Sequence, residues 1–174
     1  TCLEDIIAMN ALYRPGPMQF IPEFIDRKHG VKAINYPHPS LKDVLQNTYG
    51  IIVYQEQVMQ LSQALAGFTP GEADKLRKAM GKKQIKVMEE LREKFISGCA
   101  ANNYDQTKVE KIWEDWKKFA EYAFNKSHAT CYAWVSYQTG WLKAHYPAEF
   151  QAANLTKNLS NMDEIKKIMD DCKK

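Results

Sequence analysis

The 174-residue chain has no run of about 18 apolar residues, so the sequence offers no membrane-spanning helix. Its four cysteines, Cys2, Cys99, Cys131 and Cys172, lie far apart, without a CxxC pair or a neighbouring histidine pair. That spacing excludes a zinc site and makes a reduced, cytoplasmic setting the expectation. There is no D-x-D strand, whereas two-metal phosphoryl chemistry needs carboxylates converging on ions about 4 Å apart. Asp170 and Asp171 are adjacent on a polar terminal helix and would point in different directions. No G-x-S-x-G elbow or positioned acid accompanies a serine and histidine, so a hydrolase triad is unsupported. A Walker A loop is excluded too, because Gly81 and Lys82 would require glycine at Leu76 and a hydroxyl at Lys83. Secretory signal, internal repeat and low-complexity segment are all missing. The first residues, TCLEDIIAMNAL, carry no initiator methionine and begin inside an apolar-periodic segment, so a piece of a longer protein is expected.

What remains is a globular composition, 45% hydrophobic and 26% charged, with a net charge of +3 too mild to imply nucleic acid by itself. Apolar residues recur at helical spacing and period-two alternation is nearly missing, which predicts a mainly α, irregular multi-helix domain with at most one very short β segment. Helices are expected over Leu3–Leu12, Phe20–Lys28, Leu41–Gln46, a stretch opening at Tyr54, and Ile85–Ala101. Arg14, Pro15, Gly16 and Pro17 break the first. Gly50–Val53 reads as an extended linker. Thr69, Pro70 and Glu72 form a capping-box pattern opening a helix that ends at Gly81. Asp105 caps an amphipathic helix with Val109, Ile112, Trp113, Trp116 and Phe119 inward and Glu114, Lys118 and Glu121 outward. Ala129–Tyr146 is apolar nearly all round and is expected to be a central buried helix, followed by helices from Pro147 and Asn161.

Two places could carry chemistry. Arg77, Lys78, Lys82, Lys83 and Lys86 span a helix end and the loop after it, where guanidinium forks and ammonium groups could clamp a polyphosphate. Cations there also complement the helix dipole, and spacing alone favours that plainer role. The second place is the polar break Asn125, Lys126, Ser127, His128. If Ser127 caps the following helix, its amides and Lys126 make an anion site. A capped turn with an exposed histidine fits the pattern equally well.

The strings ALYRPGPM (Ala11 to Met18), FIDRKHG (Phe24 to Gly30), YGIIVYQEQVM (Tyr49 to Met59), LRKAMGKK (Leu76 to Lys83), FNKSHATCYAWVSYQT (Phe124 to Thr139) and LKAHYPAEF (Leu142 to Phe150) run in unbroken order. Together they closely resemble the C-family of bacterial replicative DNA polymerases, the DNA polymerase III alpha subunits. The resemblance implies that residues 1–12 end the palm and that 13–174 form the fingers, which deliver the incoming deoxynucleoside triphosphate. It implies that Arg77, Lys78, Lys82 and Lys83 clamp the triphosphate. Ser127 and His128 would line the sugar, the imidazole rejecting ribonucleotides, with Tyr132 and Lys126 as further contacts. It also implies primer-template DNA, other replicase subunits and a sliding clamp as partners, the latter two through regions outside this chain. Mg2+ would serve the intact enzyme, held by aspartates outside the chain, and the segment alone would be inactive. Lys78 departs from a position often occupied by arginine in the family and loses the bidentate fork. No role follows for Arg14, Tyr54, Gln55 or Glu56. The competing reading is a helical module that binds a protein partner or DNA phosphates without a nucleotide pocket.

Overall fold

A computed structural model describes residues 2–36, 38–82, 84–119 and 122–173. The side chain of Phe119, Glu121 and Lys83 lie outside the described residues. The described residues form α-helices joined by turns, with no strand beyond one isolated parallel bridge between Tyr54 and Phe124. The chain divides into two compact units, Thr1–Thr130 and Cys131–Lys174.

In the first unit, α1 (Leu3–Leu12) and α2 (Ile21–Lys28) are separated by the proline-glycine break and a 3-10 turn at Pro17–Phe20. Asp5 ties them together. Its buried carboxylate accepts from Lys28 Nζ at 2.5 Å, Tyr49 Oη at 3.0 Å and the Cys2 amide at 2.9 Å. After the short α3 (Lys42–Leu45) and a 3-10 turn at Gln46–Thr48, residues 51–54 lead into α4 (Gln55–Ala66). The buried Gln57 side chain holds this entry, accepting from the Val53 and Tyr54 amides at 2.8 and 3.0 Å and donating to Thr48 Oγ1 at 2.8 Å.

The core forms where α4 meets α5 (Pro70–Gly81), α6 (Ile85–Ala101) and α7 (Gln106–Phe119). Leu61 and Leu65 of α4, Leu76 of α5, Phe95 of α6 and Trp113 and Trp116 of α7 are each at most 1% exposed, so four helices share one apolar interior. Phe95 lies 4.8 Å from Trp116 and 5.3 Å from Trp113, ring centre to ring centre. Gly98 permits a close crossing in this core. A Cβ there would sit 2.2 Å from the Ala66 carbonyl oxygen, so α4 and α6 meet backbone to backbone.

The expected capping box is present: Thr69 N donates to Glu72 Oε2 at 2.9 Å and Glu72 N to Thr69 Oγ1 at 3.4 Å. It starts α5 because one side chain satisfies each of two amides that the first helical turn leaves unpaired. Asp105 likewise accepts from the Lys108 amide at 3.0 Å at the start of α7.

The second unit contains the greater part of α8 (Lys126–His145), then α9 (Pro147–Lys157) and α10 (Met162–Asp171). Asp171 joins its pieces, meeting Lys143 Nζ at 2.5 Å and Gln151 Nε2 at 2.7 Å. Here the expectation of a central buried helix is wrong. Tyr132, Trp134, Val135, Tyr137, Trp141 and Leu142 of α8 are 43–60% exposed. An apolar residue on every side of a helix signals partners on every side, and among the described residues these six side chains stay exposed, while Ala129 and Ala133 are buried. No described helix is long and apolar enough to cross a membrane.

Candidate nucleotide site

The basic end of α5 is built around one carboxylate. Arg77 Nε and Nη2 both donate to Asp74 Oδ1, at 2.9 and 2.7 Å, and Lys78 Nζ lies 2.6 Å from Asp74 Oδ2. Hydrogen bonds from Lys78 and Arg77 hold the Asp74 carboxyl below the usual carboxylate range. Asp74 therefore aligns the two cations side by side on the outer face of the helix. Lys82 follows as the exposed C-cap, its amide donating to the Lys78 carbonyl at 3.0 Å, and its ammonium makes no ion pair among the described residues.

The second candidate, the start of α8, differs from the expectation in a specific way. Asn125, rather than Ser127, caps the helix: its Oδ1 accepts from the His128 amide at 2.9 Å. Glu56 of α4 occupies the rest of the helix end. Its Oε1 accepts from Asn125 Nδ2 at 2.7 Å and its Oε2 from the Lys126 amide at 3.0 Å. The anion site expected there is filled by a side chain of the protein. Among the described residues, the amide and hydroxyl of Ser127 have no hydrogen-bond partner. His128 is exposed, its ring 5.4 Å from that of Phe124, and the Lys126 ammonium stands 5.6 Å over the ring of Tyr54. Burial, then the carboxylates of Glu56 and Glu4, pushes the Tyr54 phenol up, so this ring remains neutral.

The loop entering α8 is stitched to distant parts of the first unit. The Gln55 amide donates to the Phe124 carbonyl at 2.9 Å and Phe124 N to the Val53 carbonyl at 3.4 Å. Arg14 donates from Nη2 to the Tyr122 carbonyl at 2.7 Å and from Nε to the Ala11 carbonyl at 2.8 Å, with its guanidinium 4.3 Å over the Phe124 ring. Gly16 follows at φ +100°, where a Cβ would lie 2.4 Å from the Tyr122 ring. The RPG break is thus a cradle for residues 122–124 and not merely a helix stop. Sequence reasoning left Arg14, Gln55 and Glu56 without roles, because their partners lie 68 to 108 residues away along the chain.

Gln55 relates the two candidate sites. Its Nε2 donates to the Ala123 carbonyl at 3.4 Å and stands 3.8 Å from the position a Cβ on Gly81 would take. The end of α5 and the entry to α8 therefore approach each other at the first residue of α4. Tyr132 belongs to the second unit, and Lys83 lies outside the described residues. A cavity of about 440 Å³ in the first unit is bounded by Phe20, Arg27, Ile52, Tyr122 and neighbouring side chains, and none of the expected site residues lines it. Among the described residues no group of three or more His, Cys, Asp or Glu side chains could hold a metal ion.

The described residues thus form a helical domain in which a basic helix end lies near a capped helix start. The profile described as bacterial DNA polymerase III alpha subunit finger domain matches residues 1–103, and the chain belongs to that family. The DNA polymerase III subunit alpha of Borreliella burgdorferi is 53% identical over 171 residues, covering 98% of this chain and 15% of the relative. That of Aquifex aeolicus is 55% identical over 155 residues, 88% of this chain and 13% of the relative. That of Escherichia coli K12 is 52% identical over 178 residues, 98% of this chain and 15% of the relative. The chain thus spans about one seventh of the length of these relatives.

Proposed function

We propose that this chain is the part of a replicative DNA polymerase that receives the incoming deoxynucleoside triphosphate, and that residues 13–174 are the fingers and 1–12 the junction with the palm. In this reading Arg77, Lys78 and Lys82, with Lys83, neutralise the triphosphate as charge develops on the leaving pyrophosphate. Ser127 offers its hydroxyl and amide to the sugar side, and the His128 ring stands beside the 2′ carbon, where a ribonucleotide hydroxyl would clash. Lys126 is a further contact. Among the described residues no cluster of carboxylates fits a magnesium site, and the metal's ligands would be carboxylates elsewhere in the polymerase. Primer-template DNA, replicase subunits and a sliding clamp are the partners this activity requires.

The approach of Gly81 and Ala123 on either side of Gln55 carries the proposal, because it brings the two candidate walls to one neighbourhood of the first unit. In the full-length polymerase, Arg77→Ala should lower kcat/KM for deoxynucleotides by roughly 10- to 100-fold, the scale of one lost charge-assisted contact. His128→Ala should raise ribonucleotide incorporation relative to deoxyribonucleotide. Unchanged sugar discrimination would remove His128 from the sugar site.

One observation favours the competing reading of a phosphate- or protein-binding module without a pocket: Arg77 and Lys78 are both already paired with Asp74. A steep salt dependence with duplex DNA, and no response of Lys82 or Ser127 resonances to triphosphate, would decide for it.

A further inference from the structure

The carboxylate at the start of α8 is where a nucleotide-binding reading would least expect one. A helix N-terminus attracts anions, and a nearby triphosphate would compete for its free amides. Here Glu56 takes the Lys126 amide with one oxygen and the Asn125 side chain with the other. Asn125 in turn takes the His128 amide with its Oδ1 and the Ala129 amide, at 3.2 Å, with its backbone carbonyl. The chain of bonds runs from Glu56 through Asn125 to His128. Of the first amides of α8, it leaves only that of Ser127 without a partner among the described residues, on the residue whose hydroxyl is also unpartnered there.

We infer that Glu56 is a positioning residue for sugar discrimination, an assignment that rests on the nucleotide-site reading above. Its charge fills the anion site of α8, so phosphates are directed to the cations at the end of α5 and the sugar is left to Ser127 and His128. Its two hydrogen bonds also fix the backbone that carries the His128 ring. Glu56 sits on the second residue of α4, whose entry is locked by Gln57 against Thr48 and the extended segment before it. The loop is therefore referenced to the core rather than to itself. Mobility of the imidazole by a fraction of an ångström would open space for a 2′ hydroxyl, so loss of Glu56 should act on sugar choice before it acts on deoxynucleotide turnover.

The test measures kcat/KM for matched deoxy- and ribonucleotides in the full-length polymerase carrying Glu56→Ala, Glu56→Gln, His128→Ala or Glu56→Ala with His128→Ala. Glu56→Ala removes both acceptors and should reduce discrimination about tenfold, the scale of one charge-assisted hydrogen bond. Glu56→Gln keeps one acceptor and should restore discrimination to within roughly threefold of the parent. The double variant should discriminate no worse than His128→Ala alone, because Glu56 acts through the histidine. If Glu56→Ala does not fold, Glu56→Asp takes its place, since the shorter side chain cannot reach both donors. Discrimination that falls with His128→Ala but not with the Glu56 variants overturns this inference and leaves the nucleotide site standing. Additive losses in the double variant overturn it as well. Discrimination unchanged in every variant overturns the sugar-site reading itself.

Discussion

Arg14→Ala isolates the tie between the first helix and the loop entering α8. Arg14 makes two hydrogen bonds to main-chain carbonyls, one to Ala11 three residues back and one to Tyr122, 108 residues on, and lies 4.3 Å over the Phe124 ring. Burial draws the guanidinium below its usual range, the direction expected of a cation partly removed from water. A hydrogen bond from a charged group contributes about 1.5–3 kcal/mol and a cation–π contact about 0.5–2 kcal/mol. Arg14 is only half-buried and water can replace part of what is lost, so the expected cost is about 2–3 kcal/mol. Urea unfolding of the 174-residue chain, read by tryptophan fluorescence, measures it through the shift in midpoint at constant slope. Arg14→Lys should recover less than half, because one ammonium cannot donate along both directions of the fork. In a cycle with Phe124→Leu, a coupling near 1 kcal/mol is expected for the ring contact. A cost below about 0.5 kcal/mol for Arg14→Ala would refute the cradle.

Gly98→Ala places a methyl group 2.2 Å from the Ala66 carbonyl oxygen, and should destabilise the four-helix core by about 3 kcal/mol or prevent folding; a neutral effect in thermal unfolding would show that α4 and α6 can separate freely. For Asp5, burial raises the pKa, but bonds from Lys28, the Cys2 amide and Tyr49 outweigh it and bring it down to about 2. Its contribution, about 2 kcal/mol, is present above the unfolded pKa near 4 and is lost as pH falls towards 2. The stability difference between the parent and Asp5→Asn should therefore shrink across that window; a difference independent of pH would refute the assignment.

What sequence made legible was local. The helix Leu3–Leu12, the Thr69–Glu72 capping box, the inward face of α7 and the Asn161 cap all depend on residues within a turn or two of one another, and their spacing survives in the fold. What it hid was long-range. Ser127 and Asn125 are both good caps two residues apart. The choice fell to Asn125, whose amide can accept from His128 while donating to Glu56, a partner 69 residues away. The apolar character of α8 is legible in sequence and its exposure is not, since periodicity reports that a helix has apolar faces without saying whether the same chain covers them. The basic cluster could be located in sequence, but not the Asp74 carboxylate that orders it, because i,i+3 and i,i+4 pairs on an exposed turn are common enough to pass unnoticed.

The structure of the full-length polymerase with primer-template DNA and a matched, non-hydrolysable deoxynucleoside triphosphate tests the central claim most directly. The account predicts Arg77 and Lys82 nitrogens within about 3.2 Å of phosphate oxygens, Ser127 and His128 against the sugar, and Glu56 still bonded to Lys126 and Asn125. A nucleotide bound elsewhere, with the Asp74 pairs to Arg77 and Lys78 unchanged and the start of α8 in contact with protein alone, would contradict it.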